Sequence, residues 1–418
     1  MKLPLPDGFI QRPRLNAKDE ALLRHLASTS AMDVVHVSRL ADVDKQWRLV
    51  SNKHNLQVYH GRDPTAPPGV TSWCGNTVVQ ATLDEVADLF RAETTDQYKD
   101  YCKMFATDML DGATLYTLEE PTPTNPRHYI GIKWFAFETP LLVKNRDFLL
   151  LESQFDIEFQ GRRGWVRSLK SIELDACPDF GDLLGLVRAV QFRTGHVFLE
   201  TEKPGQLQVA QLVQTSLGGH VTGVAVAVGM KKRFRQMLDI HRFLAERRLA
   251  KTPFLDVTSF VDKKASDQCR LCRRSFSFLW RKKEHCRKCG NVVCSACFKV
   301  WSISLNRQVL QRPVCTRCVH EQPPIEYHFG SLAKPIVLAD SFASAAYGQC
   351  HCGHPACHHQ DTTSFSSDGG GYVSQVRTAS GNWAPSEAAL VQSVSHVDFW
   401  DDLSSTSSGG APWGVQYK

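Results

Sequence analysis

Cys269-Arg270-Leu271-Cys272, Cys286-Arg287-Lys288-Cys289, Cys294-Ser295-Ala296-Cys297 and Cys315-Thr316-Arg317-Cys318 are four C-x-x-C pairs, and together they hold eight of the fourteen cysteines of this 418-residue chain. Two residues between thiols let both sulfurs of a tight turn face one ion. Zn²⁺ takes four soft ligands in a tetrahedron, so eight thiolates imply two closed structural zinc sites. A disulfide framework is the competing reading. It fits less well, because Met1 to Leu23 carries no hydrophobic leader and C-x-x-C pairs are typical metal ligands in reducing compartments.

The same stretch concentrates charge. Lys251 to His320 contains fifteen Lys or Arg against four acids, a net of +11 in a chain whose total is +6. Such a footprint points to a polyanionic partner. Phe276-Ser277-Phe278-Leu279-Trp280 stands beside the densest basic run, an apolar tip that a small zinc-stapled loop would find hard to bury. A fully buried large apolar side chain is worth about 1.5 to 3 kcal/mol. Each basic residue near an anionic leaflet adds about 1 kcal/mol. Tip and basic collar together therefore read as a reversible membrane attachment, with Phe276 and Trp280 as a small internal core the alternative.

Arg281-Lys282-Lys283-Glu284-His285-Cys286-Arg287-Lys288-Cys289-Gly290, followed by Val293-Cys294-Ser295-Ala296-Cys297 and Pro313-Val314-Cys315, resembles a FYVE zinc finger, a module that reads phosphatidylinositol 3-phosphate on endosomal membranes. The resemblance implies cross-braced ligation, with Cys269, Cys272, Cys294 and Cys297 on one Zn²⁺ and Cys286, Cys289, Cys315 and Cys318 on the other. It also implies phosphoinositide contacts from Arg281, Lys282, Lys283, His285, Arg287 and Arg312, and membrane insertion of Phe278, Leu279 and Trp280. Three positions depart from the family pattern. Glu284 stands where the first histidine of the basic motif belongs and sets a negative charge where phosphate would be cradled. Phe260-Val261-Asp262-Lys263 replaces W-x-x-D, and Arg312 falls one residue early, with Pro313 in its place. A RING-like ubiquitin-ligase or protein-interaction finger is the rival, but a RING usually has a histidine ligand among its cysteines. Nothing resembles a DNA-reading C₂H₂ pattern, so no nucleic-acid partner is expected.

Over the whole chain, composition is that of an ordinary globular protein, 42% apolar and 22% charged. No apolar run reaches 18 residues, which argues against a membrane span and for a soluble, intracellular chain. Residues 1–30 read as a lead-in. Lys18 to Ala27 and Asp33 to Leu49 read as helices, the second with Val34, Val37, Leu40, Val43 and Trp47 on one stripe. Strands are expected at Leu56 to Gly61 and Val70 to Ala81, then a helix capped by Thr82. Six more strands follow, from Ala113 to Ser216, with a hairpin turn at Lys203-Pro204-Gly205. A long helix from Val221 to Leu249 closes the series. The fold class is α+β, a helix-grip arrangement with a curved antiparallel sheet and a long C-terminal helix.

That order, with Leu56-Gln57-Val58-Tyr59, Thr82-Leu83-Asp84-Glu85-Val86 and Val143-Lys144-Asn145-Arg146-Asp147-Phe148, resembles a START lipid-transfer domain over residues 31–250. The resemblance implies an apolar pocket for a hydrophobic lipid ligand. Arg146 and Asp147 read as a partly exposed structural pair, and Trp134, Phe135, Phe137, Phe192 and Phe198 as core or wall. A hydrolase or cyclase on a helix-grip fold is the enzyme alternative. No G-x-S-x-G, H-E-x-x-H or P-loop is present, the histidines are scattered singly, and Cys74, Cys102 and Cys177 read as buried small hydrophobes. No catalytic residue is therefore expected.

The finger spans 255–322, and 323–418 reads as a mostly disordered tail. Inside that tail, Cys350 to His359 is dense in metal-ligand types without a closed-site spacing, and Val397 to Asp402 could serve a protein partner. The whole reads as a non-enzymatic lipid-binding adaptor, cytoplasmic and peripheral on endosomal or other endomembranes.

Overall fold

The computed structural model describes residues 2–39, 47–105, 108–139, 143–219, 221–277, 282–305, 308–322, 324–325, 334–338 and 376–378. The elements are α1 (Ala17–Val37), β1 (Trp47–Lys53), β2 (Leu56–Gly61), β3 (Thr71–Gln80), α2 (Leu83–Leu89), α3 (Thr95–Phe105), β4 (Met109–Glu119), β5 (Tyr129–Phe137), β6 (Arg146–Phe159), β7 (Arg162–Leu174), α4 (Gly181–Leu184), β8 (Val187–Arg188), β9 (Val190–Glu200), β10 (Gln206–Ser216) and α5 (Gly223–Lys251). The finger follows with β11 (Lys283–His285), β12 (Val292–Cys294), β13 (Phe298–Leu305), β14 (Gln308–Cys315) and α6 (Thr316–His320). Two short strands lie beyond it, β15 (Ile336–Leu338) and β16 (Val376–Thr378).

Nine strands form one antiparallel path in the order β1-β2-β3-β10-β9-β7-β6-β5-β4. Both faces are covered, so the central strands are buried on both sides and read as nearly continuous apolar runs. On one face α1 packs Leu23, Ala27, Val34 and Val35 against Ile132, Trp134, Leu149, Leu151 and Val166. On the other, α5 lays Met230, Phe234, Met237, Ile240 and Leu244 against Trp73, Trp165 and Phe198 of the sheet. This is the helix-grip arrangement that the sequence implies.

Local chemistry sets the ends of these elements. The Thr82 hydroxyl accepts the Glu85 backbone N–H while the Glu85 carboxylate accepts the Thr82 N–H, a reciprocal cap that starts α2. Gly205, at φ +73°, makes the turn between β9 and β10. Gly75 serves a different need: a Cβ there would sit 2.5 Å from the Phe234 ring, so only glycine lets α5 approach β3 this closely.

Three expectations change. The helical stripe ending at Trp47 is broken, because α1 stops at Val37 and Trp47 opens β1; Leu40 and Val43 lie outside the described residues. Arg146 and Asp147 are fully buried and do not pair with each other. Alternation sends them to opposite faces, where Arg146 donates to the Lys144, Leu217 and Gly218 carbonyls while Asp147 accepts from Trp134 Nε1 and Arg188. Finally, two pieces of the expected disordered tail are strands, β15 parallel to β6 and β16 antiparallel to β7. They bury Leu338 and Val376. Cys350 to His359 and Val397 to Asp402 lie outside the described residues. Among the described residues no helix is long and apolar enough to cross a membrane.

Candidate metal centres and anion-binding face

The finger has little secondary structure of its own, and its thiols supply what a larger core would. β11 and β12 pair antiparallel through Lys283 opposite Cys294 and His285 opposite Val292. The turn between them closes at Gly290, φ +69°, whose N–H returns to the Cys286 carbonyl and where a Cβ would crowd the Ser259 carbonyl at 3.1 Å. β13 and β14 form the second hairpin.

These turns gather the eight thiols into two groups, Cys269, Cys272, Cys294 and Cys297, and Cys286, Cys289, Cys315 and Cys318, with all sulfurs of a group within 4.8 Å of one another. The Sγ atoms of Cys272 and Cys294 are 3.8 Å apart. A tetrahedron with Zn–S of about 2.3 Å sets its sulfurs about 3.8 Å apart, so the donor set fits Zn²⁺ in number, softness and spacing. Backbone amides support the sulfurs: Cys294 N–H points to Cys269 Sγ and Cys315 N–H to Cys286 Sγ, each at 3.3 Å. Two Zn²⁺ ions are the cofactors of this finger.

The basic residues sort into separate roles. Lys282 is exposed. The Lys283 amine donates to the Lys263 carbonyl at 2.8 Å and lies over the Phe276 ring at 5.3 Å, which makes Phe276 partly buried finger core. Phe260 takes a central place. His285 packs on it with ring centroids 4.9 Å apart, its Nε2 meeting the Val261 carbonyl at 2.8 Å, and the Arg287 guanidinium covers it at 5.2 Å. Arg287 Nε is buried without a hydrogen-bond partner. The Arg287 backbone N–H donates to the carbonyl of Pro313, the residue after Arg312 in β14. His285 and Arg287 thus meet around Phe260. Glu284 has a partner, Lys263, at 3.4 Å. Phe278, Leu279, Trp280 and Arg281 lie outside the described residues.

The finger is also joined to the sheet domain. Leu249, fully buried, and Ala245 and Ala250 of α5 pack into the finger core with Val293, Trp301, Ile303 and Val314. Lys288, between two thiols of the second metal group, donates to the carbonyls of Leu249, Thr252 and Pro253 at the end of α5. A cation there caps the last helical carbonyls and complements the helix dipole. Arg248, one turn earlier, makes a bidentate pair with Glu85 at 2.6 and 2.7 Å.

Inside the sheet domain the structure places a polar group that the sequence reading missed. Glu152, fully buried, accepts from Lys133 Nζ at 2.7 Å, Arg167 Nε at 2.6 Å and Gln154 Nε2 at 2.8 Å. The two cations hold its carboxyl at about 2, well below the carboxylate range, against the opposing pull of burial. A lysine in the otherwise apolar run Ile132-Lys133-Trp134 and a glutamate directly after the apolar run Phe148 to Leu151 were the signals available. Cys74, Cys102 and Cys177 are buried, and burial pushes each thiol up to about 12, out of nucleophile range.

The sheet and α5 are similar to the human StAR-related lipid transfer protein 5, at 15% identity and a TM-score of 0.42 over 53% of this chain and 96% of that one. Similarity extends to human STARD10 (15%, TM-score 0.35, 54% and 81%) and to a STAR-related lipid transfer protein from Xanthomonas axonopodis (16%, TM-score 0.35, 47% and 97%). The match to a family model falls on the thiol-rich segment: residues 259–323, with their two four-cysteine groups, are a FYVE zinc finger.

Proposed function

We propose that this protein is a non-enzymatic lipid-binding adaptor whose finger docks on phosphoinositide-bearing membranes, phosphatidylinositol 3-phosphate among them, while the α5-gripped sheet holds a hydrophobic ligand. The docking reading is supported by the packing of His285 and Arg287 around Phe260 within a zinc-built FYVE finger. Zinc supplies folding free energy, on the order of 10 kcal/mol in small metallodomains, and fixes the backbone that aims these cations. Arg287, whose guanidinium covers the Phe260 ring, would in this reading grip a phosphate oxygen. Phe278, Leu279 and Trp280 would be the residues that enter the bilayer. Peripheral attachment to endosomal or other endomembranes follows from this reading.

The ligand reading rests on the sheet domain. Apolar clusters contributed by α2, α3, α5 and the strands surround the buried Lys133, Glu152 and Arg167, an arrangement suited to an amphipathic molecule.

Co-sedimentation of the full-length protein with phosphoinositide vesicles tests the docking reading. Arg287→Ala and Arg312→Ala should each weaken binding several-fold at unchanged zinc content. Unchanged binding in both variants would place the membrane contact elsewhere.

A further inference from the structure

The central hairpin of β6 and β7 leaves two edges open. β5 pairs with β6 only as far as Gln154, and β9 pairs with β7 only as far as Leu169. Past Leu169 the two strands splay, with the Lys170 amine reaching the Phe192 carbonyl and the Ser171 hydroxyl accepting the Gln191 N–H in place of a ladder. Open edges invite another strand. The chain fills both from beyond the finger: β15 lies along Ile157 to Phe159, and β16 along Ile172 to Leu174.

β16 is held by its side chains as well as by its backbone. Val376 stands opposite Leu174 and enters the core on the α1 side, where it is 2% exposed. Alternation turns Arg377 to the other face, opposite Glu173, and its guanidinium lies 3.3 Å from Asp175. An apolar residue in a pocket and a basic residue on carboxylates are how strand addition gains specificity beyond its main-chain hydrogen bonds.

The edge is larger than its occupant. β16 has three residues, while the stretch of β7 without β9 runs from Lys170 to Leu174. Arg377 also borders a cleft of about 710 Å³ that takes in Ser171 and Glu173 of β7, Asp175, Asp179 and Val190. Apart from Arg377 the cleft is acidic: Glu173, Asp175 and Asp179 line it, and the other cation lining it among the described residues, Arg188, meets Asp147 at 2.9 Å. A longer strand on β7 would find both more edge and more complementary charge than β16 uses.

We infer that the outer edge of β7 and this cleft are a docking site for an extended peptide of a partner protein, an apolar residue followed by a basic one, and that Val376-Arg377 is a tethered stand-in which a longer strand displaces. Tethering raises the local concentration of the tail strand without raising its affinity, so a short strand can hold the site and still yield. The site requires neither the membrane reading nor the lipid-pocket reading, and the failure of either leaves it standing.

The test is fluorescence anisotropy of a labelled peptide of residues 371–380 added to the full-length zinc-loaded protein. Val376→Asp with Arg377→Glu unseats the tail strand, and that variant should bind the peptide at least about tenfold more tightly than wild type, whose own strand competes. Adding Glu173→Lys and Asp175→Lys to the variant should abolish binding of this peptide and restore it for the peptide carrying Arg377→Glu, an exchange that separates a lost contact from a misfolded protein. No binding to the unseated variant, equal binding by wild type and variant, or indifference to the charge exchange would overturn the inference. Concentration-dependent dimers of the wild-type protein, dissolved by free peptide, would overturn the partner assignment and make a second copy's tail the occupant.

Discussion

Lys263 lies 3.4 Å from Glu284, across the turn that brings the start of the finger against β11. These are two positions at which the chain departs from the FYVE pattern, with a cation in the W-x-x-D stretch and an acid in the basic motif. The structure shows the departures facing each other as a pair of reversed polarity, so the carboxylate is neutralised by a neighbour. Both side chains are about one-third exposed, and such a pair contributes at most about 1 kcal/mol. Its consequence is electrostatic: Glu284→Gln should leave Tm almost unchanged and strengthen binding to anionic vesicles, whereas Lys263→Ala should weaken binding. Flotation at low salt reads both, and equal binding by wild type and both variants would show that the pair is remote from the membrane.

Lys288 predicts how the two halves melt. Its three N–H groups are shared among the Leu249, Thr252 and Pro253 carbonyls and the Thr252 hydroxyl, all within hydrogen-bond reach, and it covers the Phe254 ring at 3.8 Å. Charged hydrogen bonds of this kind are worth about 1.5 to 3 kcal/mol. Lys288→Met should lower the calorimetric Tm and split one transition into two, finger before sheet. A single unchanged transition would show that the shared core around Leu249 suffices.

Gly75 tests the grip of α5 on the sheet. Gly75→Ala must displace Phe234 or Met237, both buried, and overpacking of this kind costs about 1 to 3 kcal/mol. Urea unfolding should show a lower midpoint with an unchanged slope. An unaffected midpoint would mean that α5 shifts freely over β3.

Stability should fall as pH drops below neutral. Burial lowers His60 from 6.5 to about 4, aided by Arg48, and lowers His36, His196 and His241 as well. The unfolded chain therefore binds more protons than the native one below pH 6.5, and stability is lost as pH drops from 6.5 toward the folded values. His60 alone, after allowance for partial solvent access, contributes about 2 kcal/mol across that window. Urea midpoints at pH 7 and pH 5 should differ, and less so in His60→Gln. Equal midpoints would contradict the buried neutral histidines.

How much of this was legible beforehand follows from the range of the interactions. The thiol spacing, the Thr82 cap and the Lys203 to Gly205 turn are local, and the sequence reading placed each within a few residues. Trp47 was misplaced because its spacing from Val34, Val37, Leu40 and Val43 suits a helix, while pairing of Trp47 with Gly61 in the sheet decides otherwise. α3 went unread because its apolar side, Tyr98, Tyr101 and Cys102, is short and set among charges. The Lys133–Glu152–Arg167 cluster is non-local: its members are 15 and 19 residues apart and meet only through strand register. The Lys288 clasp spans 39 residues and depends on how the finger seats against α5.

The central claim is that a zinc-built finger reads a phosphoinositide membrane. The direct measurement is flotation of the full-length protein with vesicles containing each single phosphoinositide, phosphatidylserine alone, or neutral lipid, at low and high salt. The full chain is required because Leu249 of α5 completes the finger core. The account predicts binding to the 3-phosphate lipid that persists at high salt and exceeds binding to phosphatidylserine. Equal binding to every anionic vesicle, abolished by salt, would leave only a diffuse electrostatic anchor, and no binding to any vesicle would contradict the membrane reading and make the finger a protein-interaction module.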